Sequence, residues 1–106
     1  MNLIDNCKQP HECTCIEEVR NGIDNIDKDI INMLAKRFAY VREVVKYKEQ
    51  TPAGIEASDR RAQVIATRSR WAGEAGLDPD VIGGIYNTLI EYFIREEKKI
   101  MQNKNN

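Results

Sequence analysis

The chain of 106 residues carries 16 basic and 17 acidic residues, for a formal net charge of −1. This length fits one domain with a modest core, and the balanced charge argues against electrostatic binding of nucleic acid or of an anionic membrane surface. The sequence has no apolar run near the roughly 20 residues of a membrane span. The start, MNLIDNCKQ, lacks a basic segment followed by an apolar one, so we predict a cytoplasmic protein without a secretory signal.

Residues 1–13 precede the first helical pattern and are predicted to form a flexible tail. Potential metal ligands lie in or beside this tail, namely Cys7, His11, Cys13 and Cys15. These residue types suit zinc, but the Cys-x-Cys spacing departs from the usual roughly two to four intervening residues. We therefore predict reduced cysteines in a mobile segment and no metal site.

A long first helix is predicted from Thr14 to about Glu49, because apolar side chains recur there at helical spacing. Thr14 and Glu17 form a capping-box pattern at its start. Pro52 ends the pattern, and Gln50–Ala57 is predicted to be a loop. The apolar stripe of this helix consists of Ile16, Val19, Ile23, Ile26, Ile30, Met33, Val41 and Val44.

Three cations accompany this apolar stripe. Arg37 and Lys48 occupy positions on it, and Arg20 lies at its edge, between Ile16 and Ile23. A buried cation is costly unless an anionic group meets it. The helix is therefore predicted to face both a core and a site for an acidic ligand.

Each cation also has a purely structural interpretation. Arg37 could pair inside the core with Asp27 or with a carboxylate of the third helix. Lys48 could extend to solvent near the helix C-terminus, where a positive charge is favourable. Arg20 could pair with Asp24, one turn away on the same helix. The charge pattern alone leaves these alternatives open.

A second helix is predicted from an N-cap at Ser58 to about Ala75, with Gly76 as a left-handed terminator. Its apolar side chains are Ala62, Val64, Ile65, Ala66 and Trp71. A third helix is predicted to begin at Asp78-Pro79, as N-cap and first helical residue. Its inner face carries Ile82, Ile85, Tyr86, Leu89, Phe93, Ile100 and Met101.

The segment pattern predicts an all-α fold with one long and two shorter helices per chain. Apolar residues do not alternate with a period of two anywhere, which argues against a sheet. The predicted domain covers residues 14–102, and residues 103–106 form a polar C-terminal tail.

Glu97 continues the inner face of the third helix, four residues after Phe93. Two interpretations make it a partner of Arg37 or an exposed residue at a point where the helical register drifts. In a third, its carboxyl group faces a ligand pocket. The sequence pattern alone leaves these open.

The spacing of the cations predicts a homodimer. Arg20 and Lys48 are 28 positions apart, which is roughly 42 Å along one helix axis and too far for one small ligand. Arg37 and Lys48 lie roughly 16 Å apart and can converge on one molecule. The two shorter helices also leave much of the apolar stripe uncovered. We therefore predict an intertwined homodimer in which an antiparallel copy supplies Arg20.

The cation pattern resembles that of the all-helical chorismate mutase family. It reads R-x2-I-x2-I-D-x2-I-I-x2-L-x2-R from Arg20 to Arg37, with Lys48 eleven positions later. The resemblance extends from about Cys13 to Met101. Within the family, RSRWAGEAGLD, residues 68–78, is closer to the isochorismate pyruvate-lyases that make salicylate for siderophores.

The resemblance implies a set of site residues. Arg37 and Lys48 of one chain, with Arg20 of the other, would hold the two carboxylates and the breaking ether oxygen of the substrate. Arg60 matches a further carboxylate-binding arginine. Glu97 takes the place of a hydrogen-bond donor to the ether oxygen, which is often glutamine. The loop before the second helix would close over the pocket.

Departures from the family pattern separate its branches. Ala57 and Arg61 stand where dedicated mutases tend to carry acidic residues that contact the substrate hydroxyl and fix Lys48, which favours the lyase. Glu97 departs from the glutamine of the lyase branch, and an ionised carboxylate cannot donate a hydrogen bond.

The implied reactions are pericyclic and use no cofactor. Consistently, the sequence contains no Gly-rich phosphate loop and no nucleophile–histidine pair. We favour an isochorismate pyruvate-lyase that forms salicylate and pyruvate, with chorismate mutase activity beside it. The alternatives are a dedicated chorismate mutase of aromatic amino-acid biosynthesis and a non-catalytic helical dimerisation module.

Overall fold

The computed structural model describes residues 8–104, and the regular secondary structure in this range consists of helices, without a strand. Its elements are α1 (Ile16–Val44), α2 (Pro52–Glu56), α3 (Ser58–Glu74) and α4 (Pro79–Lys104), with 3-10 helices at Pro10–Glu12 and Val45–Tyr47. The predicted all-helical class is confirmed for the described part of the chain, with α2 as an additional short helix. Of these helices, none is long and apolar enough to cross a bilayer.

The chain divides into two compact units, the first ending at Ala39 and the second beginning at Tyr40, within α1. In the first unit α1 begins at Ile16, later than predicted, and Thr14 Oγ1 donates a hydrogen bond to Glu18 Oε1 at 2.7 Å. Before it, the Pro10–Glu12 turn is closed by the Gln9 amide, which donates to Glu12 Oε1 at 2.8 Å.

The cysteine-rich start is only partly described, because Cys7 lies outside the described residues. Cys13 Sγ lies 3.7 Å from the Gln9 carbonyl oxygen, and Cys15 Sγ lies 3.6 Å from Glu18 Oε1. Between positions 8 and 104, no group of three or more His, Cys, Asp or Glu side chains is placed to hold a metal ion.

The apolar stripe of α1 is exposed. None of the residues of α1, all of which are described, is buried. Ile16 is 55% exposed at the start of the stripe, Ile30 is 50% exposed at its middle and Val44 is 40% exposed at its end. Apolar side chains on this scale are normally covered in the working form of a protein. The exposure is compatible with the predicted homodimer, which stays a prediction.

In the second unit α1 ends at Val44, and the predicted end near Glu49 is wrong. The chain tightens into the 3-10 turn Val45–Tyr47, whose Val45 carbonyl accepts from the Lys48 amide. Gln50 Nε2 also donates to the Val45 carbonyl at 2.9 Å and to the Lys48 carbonyl at 2.8 Å, and these bonds support the turn.

The core of the second unit joins this 3-10 turn to α2, α3 and α4. Its buried side chains are Val45, Ile55, Val64, Ile90, Ile94 and Met101. The predicted burial of Phe93 and Met101 is confirmed, but Ile85 is 49% exposed and its predicted place on the inner face is wrong for the single chain. Ile90 and Ile94 were not predicted, since the packing of α3 across α4 decides which stripe of α4 is covered.

Local signals set the ends of α3 and α4. Ala57 adopts a left-handed conformation (φ 44°, ψ 60°) and is the N-cap of α3, so the prediction that Ser58 is the N-cap is wrong by one residue. The left-handed Gly76, with φ 83°, is confirmed. The predicted N-cap Asp78 is also confirmed, because its Oδ1 accepts from the Asp80 amide at 2.9 Å.

Candidate active site

The second unit contains a largely buried ion pair. Lys48 Nζ donates to Glu97 Oε1 at 2.8 Å and to the carbonyl oxygen of Ile55, also at 2.8 Å. The side chain of Lys48 is 20% exposed and that of Glu97 only 4%. Two of the structural interpretations are therefore wrong, because Glu97 is not an exposed residue at a point of register drift and Lys48 does not extend freely into solvent.

The position of Lys48 follows from the turn that carries it. Val45, which is 1% exposed, anchors the 3-10 turn in the core, and the Lys48 amide donates to the Val45 carbonyl at 3.2 Å. Gln50 holds the Lys48 carbonyl from the other side. The main chain of Lys48 is thus fixed on both its donor and its acceptor group.

Glu97 is placed by α4. It follows Phe93 by one helical turn, and Phe93 and Ile94 are 5% and 7% exposed. The apolar face that buries these residues carries the carboxylate into the core with them. The structure thus selects an inward-facing side chain among the interpretations that the sequence left open.

The third member of the arrangement is a main-chain group. The Ile55 carbonyl lies near the C-terminal end of α2, where carbonyl groups have no partner within the helix. Ile55 itself is fully buried, so its carbonyl is held in place. This group could not be identified from the sequence, because every residue type carries a main-chain carbonyl.

The electrostatics of the pair are favourable only while both partners are present. A carboxylate removed from water is costly unless it is paired and hydrogen bonded, and an ammonium 2.8 Å away satisfies that need. An ammonium has three N–H donors, and the bonds to Glu97 and Ile55 occupy two of them. The group can therefore offer a donor to a further acceptor.

The other predicted site residues occupy different surroundings. Arg60 is exposed at the start of α3, where its Nη1 donates to Gln63 Oε1 at 2.9 Å. Arg20 and Arg37 lie on α1 in the first unit, exposed and half-buried respectively. The structure brings Lys48 and Glu97 together, and the roles of the three arginines stay predictions.

Arg61 cross-links α3 to α4. Its Nη2 donates to Asn87 Oδ1 at 2.6 Å and to Glu91 Oε1 at 3.1 Å. At the other departure from the mutase pattern, Ala57 has no polar side chain. Lys48 is thus oriented by Glu97 and by a carbonyl, and the start of α3 supplies no acidic residue at these two positions.

Known proteins resemble this chain over most of its length. The model of the chorismate mutase type II family matches residues 19–98. The chain is 37% identical over 92 residues to the isochorismate pyruvate lyase of Pseudomonas aeruginosa, covering 87% of this chain and 90% of that protein. It is 27% identical over 93 residues to the chorismate mutase of Methanocaldococcus jannaschii, covering 85% and 94%. It also matches the T-protein of Enterobacter agglomerans at 32% identity, over 76% of this chain but 22% of that protein.

Proposed function

The chain belongs to the chorismate mutase type II family, and we propose that it is an isochorismate pyruvate-lyase that converts isochorismate into salicylate and pyruvate. The family resemblance that the cation pattern indicated is thereby confirmed. As a second activity of the same site, we propose the mutase reaction, which converts chorismate into prephenate. We also propose that the protein makes this salicylate in the cytoplasm and that the salicylate is used for a siderophore.

The observation that carries this proposal is the pair formed by Lys48 and Glu97, which were singled out from sequence as the groups at the breaking bond. In either reaction a C–O bond breaks and negative charge grows on the ether oxygen. A Lys48 donor directed at this oxygen stabilises the transition state more than the ground state. In the lyase reaction a ring hydrogen moves to the pyruvyl group as the bond breaks.

Glu97 is proposed to act on the same oxygen through its carboxyl group. Its Oε1 accepts from Lys48, and a protonated Glu97 has a hydroxyl group that can donate to the ether oxygen. The pair then carries one net positive charge, which complements the charge that develops on the substrate. When Glu97 is ionised, the pair is neutral and the second donor is lost.

The remaining cations would hold the two carboxylates. We propose that Arg37 and Arg60 bind them together with Arg20 of the partner subunit, in a homodimer that buries the exposed apolar stripe of α1. A flexible dianion held in its reactive conformation loses entropy before the barrier, which lowers the activation free energy.

Two observations support the lyase as the main reaction. Ala57 and Arg61 provide no carboxylate to Lys48, and Arg61 is engaged with α4. The 37% identity to an isochorismate pyruvate lyase also exceeds the 27% to a chorismate mutase of comparable length.

The mutase reaction is the second candidate, since the match to the Methanocaldococcus jannaschii enzyme covers 94% of that protein. The third candidate is a non-catalytic dimerisation module, in which Glu97 would simply neutralise Lys48.

A substrate test separates these candidates. Purified protein is given isochorismate and chorismate separately, and the products are measured by salicylate fluorescence and prephenate formation. Salicylate and pyruvate in equal amounts from isochorismate support the proposal, and prephenate alone identifies a dedicated mutase. If neither substrate gives a product, the non-catalytic dimerisation module is the remaining candidate.

A further inference from the structure

We propose that α2 is a positioning element for the Lys48 ammonium and that Gly54 is the residue that allows α2 to lie where it does. The catalytic consequence of this proposal rests on the proposed function, while the structural part stands without it. The proposal concerns the segment between Glu49 and Ala57, which the sequence predicted to be a loop over the pocket.

The Lys48 ammonium is held by the Ile55 carbonyl as well as by Glu97. The carbonyl accepts from Nζ at 2.8 Å, the same length as the bond from Glu97. Glu97 alone would leave the ammonium free to rotate about a single contact. With two acceptors from different elements, the remaining N–H donor has a defined direction.

Helix α2 closely approaches Glu49, the residue just after Lys48. A Cβ atom added to Gly54 would lie 2.4 Å from the Glu49 carbonyl oxygen and 2.7 Å from Glu49 Cβ. Real Cβ contacts essentially never fall below 3.0 Å. Because the nearest atom belongs to the backbone, it cannot move aside as a flexible side chain would. A side chain at position 54 must therefore displace α2 from Glu49.

A displacement of α2 at Gly54 would also move the Ile55 carbonyl and, with it, the Lys48 ammonium. Gly54 and Ile55 are neighbours in a helix of five residues, so a shift of one moves the other. The start of this helix is held by Thr51, whose Oγ1 accepts from the Gly54 amide at 3.0 Å. Its end is linked to α4 by an ion pair between Glu56 Oε1 and Lys98 Nζ, which lie 3.7 Å apart. Gly54 and Thr51 are thus positioning residues that act on Lys48 through the Ile55 carbonyl.

The test compares two Gly→Ala substitutions in helices. Gly54→Ala is expected to lower kcat by about ten- to a hundredfold while KM changes little, because a small misplacement of Lys48 affects only the transition state. Gly84→Ala is the matched control, since a Cβ there meets no atom within 4 Å and Gly84 is exposed on α4. It is expected to keep the kcat of the wild-type protein.

A second measurement needs no substrate. In protein labelled with 15N-lysine, the ammonium of Lys48 should give a slowly exchanging NH3+ signal, because two bonds hold it in a largely buried place. Gly54→Ala should weaken or abolish this signal, and Gly84→Ala should preserve it. A folded Gly54→Ala protein with wild-type kcat and a wild-type ammonium signal overturns the proposal.

Thr51 supplies a test that does not depend on the folding of Gly54→Ala. Thr51 is exposed, so Thr51→Ala removes the cap of α2 without opening a cavity, and kcat should fall severalfold. Thr51→Ser keeps the hydroxyl group and should restore both kcat and the ammonium signal. Equal values for the Ala and Ser variants would count against α2 as the positioning element. If the wild-type protein turns over neither substrate but its ammonium signal responds as expected, the proposed function fails and the positioning stands.

Discussion

The Lys48 ammonium donates to the Glu97 carboxylate at 2.8 Å, across 49 positions of sequence. This contact couples the end of the turn after α1 to the inner face of α4. Its net charge is zero when Glu97 is ionised and +1 when Glu97 is protonated. Since the proposed reactions develop negative charge beside this pair, a neutral donor at position 97 should raise their rate.

The first prediction concerns the side chain at position 97. Glu97→Gln keeps an acceptor for Lys48, supplies a permanent donor to the ether oxygen and leaves the pair with one positive charge, so its kcat should exceed that of the wild-type protein. The values of kcat and kcat/KM for both proteins at one pH measure this effect.

Glu96→Gln is the matched control for Glu97→Gln. Glu96 is the preceding residue of α4 and pairs with Lys99 at 3.3 Å, so it carries the same charge outside the Lys48 contact. Its kcat should equal that of the wild-type protein. A kcat of Glu97→Gln no higher than that of the wild-type protein would contradict the need for a donor at position 97.

The second prediction concerns the charge of Lys48. Lys48→Ala should reduce kcat by about a hundredfold to a thousandfold, which is the usual loss when a donor to a developing oxyanion is removed. Lys46→Ala is the control, because Lys46 lies two residues earlier and pairs with Glu43 at the surface. An unchanged kcat in Lys48→Ala would exclude this side chain from the reaction.

Stability separates the structural from the catalytic effect of Lys48. Lys48→Ala leaves the buried Glu97 without its partner and should destabilise the fold, by less than the about 3–5 kcal/mol of fully buried pairs because Lys48 is partly exposed. Adding Glu97→Gln should recover much of the free energy of unfolding in a denaturant titration. The double variant should stay as slow as Lys48→Ala.

The sequence predicted those features that depend on neighbouring residues. Asp78 and Gly76 were identified because capping and left-handed termination are local requirements. An inward-facing Glu97 was one of the interpretations left open, since it follows from the helical period after Phe93.

The features that the sequence did not predict depend on contacts across the fold. After α1 ends at Val44, the side-chain amide of Gln50 donates to the carbonyls of Val45 and Lys48, a contact that no propensity rule anticipates. The burial of Ile90 and Ile94 depends on the packing partners of α4. The Ile55 carbonyl is a main-chain group, so residue type gives no sign of its role.

The third prediction concerns the pKa of Glu18 in the first unit. Hydrogen bonds from Lys8 and from Thr14 lower this pKa from 4.5 to about 2. The folded pKa lies below the ordinary value, so the stabilisation is complete above about pH 4.5 and is lost as pH falls towards 2. An NMR titration of the Glu18 carboxyl carbon should show the low midpoint. Lys8→Ala should move the midpoint upwards, and an unchanged midpoint would contradict the ion pair.

The fourth prediction concerns the left-handed Ala57. A non-glycine residue in this conformation costs about 1–2 kcal/mol, and the greater flexibility of unfolded glycine offsets part of any gain. Ala57→Gly should therefore stabilise the protein by about 0.5–1 kcal/mol in thermal unfolding. Ala66→Gly makes the same change at an exposed position within α3 and should destabilise by about 1 kcal/mol. A loss of stability in Ala57→Gly would show that the left-handed backbone is not strained.

The fifth prediction tests whether two chains share each site. Arg20→Ala and Lys48→Ala chains should each be inactive alone, and refolding them together should restore part of the activity. In a mixed dimer, one of the two sites combines Lys48 of the first chain with Arg20 of the partner subunit and is intact.

A mixture of Arg37→Ala and Lys48→Ala chains is the control. Both of those residues belong to the same chain's share of a site, so every site in a mixed dimer lacks one of them. Recovery in the first mixture alone supports a shared site, and equal behaviour of the two mixtures contradicts it.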